Sequence, residues 1–281
     1  MPPTPPPEPP TPPPEPTWPF PKFTLRVEDL AHPGAQHFFA AIRNPGTSAE
    51  HDSDNALEAL RYAVLQSFIW LYAVPECAPT NVQQILLVMR PMDGVAYTFG
   101  SHTEKEIHFS LDHVWNQKEL SRARQEILGV LVHEVVHCYQ HNGNGTAPGG
   151  FIEGVADYVR LHANLGPPHW RRAAPSRTDK WDAGYERTAY FLDWIDSASP
   201  FGEGTVRKMN AALVGDGVTW DNARVFETFT GEKVGALWRR YRVEFGGEVV
   251  EESEEAESEP RAATPVVVDE TAVRSYEPVY I

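Results

Sequence analysis

Apolar positions recur at helical spacing along several stretches of the chain. Leu57, Leu60, Val64, Phe68 and Leu71 mark one, with Asn55 and Glu58 spaced as a helix-starting capping box. Leu128, Val132, Val135 and Val136 mark a second. In a third, Ile152, Val155, Ala156 and Val159 form one side while Glu153, Asp157, Arg160 and Asn164 form the other. Trp181, Tyr185, Thr188, Leu192 and Ile195 make a fourth stripe, and further helices are expected near Gly204 to Leu213 and Lys233 to Tyr241. Between and before these lie strand patterns. Phe23 to Glu28 alternates, Ile85 to Met89 is a short continuous apolar run, Val95 to Phe99 follows, and Glu106 to Leu111 alternates strictly. The last of these is expected to have one wet face and a free edge beside the cleft, where an extended peptide could pair. His108 on it, and His113 just after, read as surface histidines.

The second and third helices carry the chemistry. The second contains His133-Glu134-Val135-Val136-His137. Residues four apart share a helix face, so both imidazoles point one way and can hold one Zn²⁺, with Glu134 beside the open coordination position. Asn142 to Gly150 holds four glycines and a proline, which end the helix and turn the chain back. The reversal makes the third helix an antiparallel neighbour, so Glu153 can supply the third ligand. Asp157, one turn on, can accept a hydrogen bond from the outer nitrogen of His133. The longer metzincin pattern would need Gly at 140 and His at 143, but the chain has Gln140 and Gly143. His141 as third ligand would sit eight residues past His133, rotated off the face.

These blocks, together with Met92-Asp93-Gly94-Val95-Ala96-Tyr97, the Asn142-Gly143-Asn144-Gly145-x-Ala147-Pro148-Gly149-Gly150 loop and Lys180-Trp181-Asp182-Ala183-Gly184-Tyr185, resemble the plant basic secretory protein family. That family has fungal and bacterial relatives and is classed with zinc metallopeptidases of the gluzincin type. The resemblance spans about residues 24 to 246. It implies an α+β, zincin-like fold, with a small, mostly antiparallel sheet and a helical lobe, and peptidase chemistry.

Composition adds the ends of the chain. Thirteen of the first 23 residues are proline, which suits an extended polyproline II spacer or the ligand of an SH3- or WW-type module. Residues 247 to 281 carry ten acids against two arginines and are expected to be disordered. The expected organisation is therefore a Pro-rich segment over 1–23, a peptidase domain over 24–246 and an acidic tail over 247–281. The net charge is −15, and no basic stripe suited to nucleic acid is present. No apolar run approaches the roughly 20 residues of a membrane span. No basic segment followed by an apolar core opens the chain, which points inside the cell where the resemblance points outside. Cys77 and Cys138 read as small buried hydrophobes, with a bridge between them left open. Asn144-Gly145-Thr146 reads as turn chemistry rather than a glycosylation site.

The function expected from these readings is a zinc-dependent endopeptidase acting on peptide or protein. His133, His137 and Glu153 hold the ion, and Glu134 is the general base. Tyr185 is either the phenol that polarises the substrate carbonyl or a core tyrosine on its stripe, with His169 a second candidate for that task. The alternative is a non-catalytic binding protein on the same fold, with a structural zinc and partner contacts through its tails.

Overall fold

The computed structural model describes residues 17–43, 55–176, 178–197 and 201–247. Nearly all of the Pro-rich segment and of the acidic tail lies outside them, as does the question of an SH3- or WW-type partner. The described chain is mixed α+β. Its strands are β1 (Lys22–Val27), β2 (Gln84–Arg90), β3 (Ala96–Gly100) and β4 (Glu104–Ser110). Its helices are α1 (Pro33–Arg43), α2 (Ala56–Tyr72), α3 (Leu111–Asn116), α4 (Leu120–Tyr139), α5 (Gly149–His162), α6 (Tyr185–Ser197), α7 (Thr205–Ala211), α8 (Thr228–Thr230) and α9 (Val234–Glu244).

The sheet order is β1-β2-β4-β3, and its pairing corrects the expected mostly antiparallel arrangement. β1 with β2 and β2 with β4 are parallel; only β3 with β4 is antiparallel. The reason is the connection between β1 and β2. It contains α1 and α2, and a crossover of that length returns the chain to the starting end of the sheet. β4 is therefore an interior strand with both edges paired, and residues 106–111 cannot receive a peptide. β3 folds back across Ser101 to Thr103 and takes the edge itself.

One sheet face packs on helices. Leu25, Leu87, Ile107 and Thr98 form one cross-strand row of that face, and Val27, Met89, Phe109 and Ala96 the next. α2 packs against β1, and α4 against β3 and β4. The other face carries Arg26, Val88, His108 and Tyr97 in one row. His108 is buried there, not a surface residue. Tyr97 stacks on it at 4.9 Å and bonds its Nδ1 at 3.1 Å, while Glu106 meets Nε2 at 3.1 Å.

Asn55 caps α2 by accepting from the amides of Leu57 and Glu58, and Leu60, Val64, Phe68 and Leu71 face the core. Leu57, the first residue of the expected stripe, is exposed. Trp18 stacks on Phe68, and Phe20 lies under the Arg61 guanidinium. The folded unit thus reaches into the segment read as Pro-rich. No helix among the described residues is long and apolar enough to cross a membrane.

α4 is the central helix, packed against α1, α2 and α5. The α4–α5 pair is antiparallel: Glu153 meets His137 and His133, Asp157 meets His133, and Arg160 meets Glu126. Their close approach depends on Gly129. A Cβ there would lie 2.6 Å from Arg160 Nε. Arg160 instead passes over the glycine, donating to Leu165 O at 3.0 Å and to Glu126 Oε2 at 3.2 Å. Glu126 also contacts Arg122 and accepts from His113 Nε2 at 3.2 Å. Burial alone would raise its pKa, but the His113 hydrogen bond and the two guanidiniums bring it down to about 2.

A carboxylate lowered on folding stabilises the protein above its unfolded pKa and loses that stabilisation as pH falls through the folded value. For Glu126 the window runs from about 4.5 down to about 2, and the shift corresponds to roughly 3 kcal/mol. Glu126→Gln should lower stability at pH 7 by about that amount and flatten the acid limb. Urea midpoints measured from pH 7 to 2.5 check it; parallel curves for wild type and variant would contradict it.

Candidate functional site

The site sits where α4 ends and α5 begins. α4 stops at Gln140, which is extended. Gly143, Asn144 and Gly145 then take φ of 59°, 54° and 79° in succession, a left-handed run that glycine and asparagine tolerate and that reverses the chain. Asn142 Oδ1 accepts from Gly145 N at 3.0 Å, and Asn144 Nδ2 donates to Gly215 O and Val218 O at 3.0 and 2.8 Å. The reversal is therefore fastened at both ends, with Asn144 committed to the turn.

This reversal brings three donors together. His133 Nε2 and His137 Nε2 are 3.1 Å apart. Glu153 Oε2 lies 3.0 Å from the first and 3.7 Å from the second. Among the described residues, this His-His-Glu group is the cluster whose ligand atoms fall close enough to share an ion. A tetrahedral ion with bonds of about 2.0–2.1 Å spaces its ligands about 3.4 Å apart. The observed triangle has that size.

The outer nitrogens are held as well. His133 Nδ1 lies 2.6 Å from Asp157 Oδ1, on a carboxylate that is almost fully buried. His137 Nδ1 lies 2.7 Å from the Gln140 side-chain amide nitrogen, while Gln140 Oε1 is buried without a hydrogen-bond partner among the described residues. Exchanging the two ends of that amide lets Oε1 accept an Nδ1–H from His137. Both Nε2 atoms then face the same point as the Glu153 carboxylate. Two imidazole nitrogens and a carboxylate oxygen converging on one point are a group that could hold a metal ion. The sequence reading passes over Gln140 except as a position where a glycine is missing, although it lies one turn past His137.

Electrostatics favour positive charge here. Burial opposes a charged His133, yet Asp157, Glu153 and Glu134 together carry its pKa up to about 10. Burial would raise the Glu153 carboxyl, but its hydrogen bonds with the two histidines hold it far below the usual carboxylate range.

Glu134 is buried on α4, and its Oε2 accepts from Thr98 Oγ1 at 2.7 Å. No sequence signal marks Thr98, because its neighbour across the fold is 36 residues away. Tyr185 is not a core residue. It is 56 % exposed, precedes the buried part of its stripe, and stacks over His133 with centroids 6.1 Å apart and planes 13° off parallel. Its backbone has φ 47°, unusual for a bulky side chain. The Glu153 carboxylate above all, then partial burial, Asp157 and Glu134 keep its phenol above the usual pKa, hence protonated at neutral pH. Trp181, read as the same stripe, lies before α6.

The remaining candidates fall elsewhere. His141 Nε2 meets Tyr72 OH at 3.3 Å, away from the triangle. His169 is exposed in the loop beyond the far end of α5. Cys77 is exposed and Cys138 is buried, and both are free thiols.

Fold and site together define an α+β protein in which helices α4 and α5 bring together two histidines and a glutamate that could share a metal ion, beside a buried carboxylate. The chain belongs to the BSP family, peptidases of plants and bacteria, whose family model matches residues 20–241. No curated protein and no solved structure matches it.

Proposed function

We propose that this peptidase is a zinc-dependent endopeptidase of zincin-like architecture. The observation that carries the reading is the donor triangle of His133, His137 and Glu153, with its outer nitrogens anchored by Asp157 and Gln140. Two imidazoles and a carboxylate with one position left open are a donor set suited to catalytic zinc. A bound zinc ion would acidify a water toward pKa 7 and polarise the scissile carbonyl.

The chain's own groups do the rest. Glu134 takes the proton of the attacking water and delivers it to the leaving amine. Tyr185, protonated and stacked over His133, donates to the oxyanion as the carbonyl becomes tetrahedral. Its strained backbone supports this, since strain that persists in an exposed aromatic is held by its surroundings. Asp157 and Gln140 hold the imidazole orientations throughout.

The test is metal content with activity. Purified protein should hold about one zinc per chain and cleave unfolded polypeptide, lose cleavage to a chelator and regain it with added zinc. Protein that binds no zinc and cleaves equally well with chelator present would refute the proposal.

A further inference from the structure

We propose that Thr98 is a positioning residue that aims the Glu134 carboxylate, an inference that rests on reading Glu134 as the general base. Thr98 lies in the inward row of the sheet with Leu25, Leu87 and Ile107. Apolar packing would be served there by valine, which has the same shape. The threonine instead buries a hydroxyl, 7 % exposed, and that hydroxyl points at α4. Its Oγ1 lies 2.7 Å from Glu134 Oε2 and 3.0 Å from Glu134 O.

A threonine hydroxyl has one proton to give. The charged and nearer oxygen takes the larger share, because hydrogen bonds to an ionised acceptor are shorter and stronger. The donor itself is rigid. Threonine is branched at Cβ and restricted in χ1, and Thr98 sits on a strand paired with β4 opposite Ile107. Glutamate, by contrast, has three side-chain torsions. With Oε2 fixed from the sheet, Oε1 is the oxygen left to accept a proton. The edge strand and the base thereby form one rigid unit. A small misplacement of a base costs turnover more than substrate binding, which predicts the form of the defect.

Two variants and a cycle test this. Thr98→Val should lower kcat by about 10- to 100-fold with KM within about twofold and zinc content unchanged. Thr98→Ser, which restores the hydroxyl, should recover kcat to within about threefold of wild type. A Val variant that turns over like wild type, or a Ser variant as slow as Val, would overturn the proposal. Independently of turnover, urea midpoints of Thr98→Val, Glu134→Ala and the double variant should be non-additive, the double losing clearly less than the singles combined. Additive losses would assign the hydroxyl to the Glu134 carbonyl, a strap on the helix only, and would also overturn it. A wild type without zinc or chelator-sensitive cleavage would instead sink the zinc-dependent reading, and the cycle separates that failure from this one.

Discussion

Glu134→Gln should reduce peptide hydrolysis by about a thousandfold while the protein still folds and binds its ion. The substitution keeps the size of the side chain and an oxygen for Thr98 Oγ1, so the 2.7 Å hydrogen bond can persist. It removes only the capacity to take a proton. General base catalysis contributes about 10²–10⁴-fold, and a thousandfold loss corresponds to about 4 kcal/mol of transition-state stabilisation. Glu134 is not one of the three groups of the donor triangle, so zinc per chain should match wild type. The check is kcat on an unfolded polypeptide, with elemental analysis on the same sample. Turnover within tenfold of wild type would remove Glu134 from the mechanism.

Glu153→Gln should act on the ion itself. Glu153 Oε2 is the vertex that lies 3.0 and 3.7 Å from the two imidazole nitrogens. A neutral amide in its place withdraws the one negative ligand, and zinc affinity should fall by more than about a hundredfold, with activity lost in proportion. Asp157→Asn, which leaves the triangle intact but weakens the hold on His133 Nδ1, should cost less, about 10- to 100-fold in affinity. Competition with a chromophoric chelator gives both numbers. The order matters: a larger loss from Asp157→Asn than from Glu153→Gln would mean that Glu153 is not a ligand.

The parts of this site legible in the sequence are those set by local spacing. His133 with His137, and Glu153 with Asp157, are pairs four residues apart on helices, so one rotation angle fixes which face each shares. The glycine-rich run between them announces a reversal. What is not legible is non-local. Strand pairing follows from where α1 and α2 return the chain, so β3 rather than β4 takes the edge. The strict alternation around His108 suggests a wet face, but Tyr97 from the neighbouring strand covers it. Tyr185 reads equally as core because its spacing matches Thr188 and Leu192. Only the left-handed start of α6 lifts its ring out of that stripe. Gln140 and Thr98 carry no motif; each is defined by what it touches.

Gly150 is the second residue of α5, and a Cβ on it would stand 1.8 Å from the carbonyl oxygen of Asp182. The backbone leading into Tyr185 therefore rests directly on the backbone leading into Glu153. Any side chain at position 150, even a methyl, must pry these two segments apart. Tyr185 and Glu153 would shift together, so a single added carbon on this glycine should disturb two sides of the site at once.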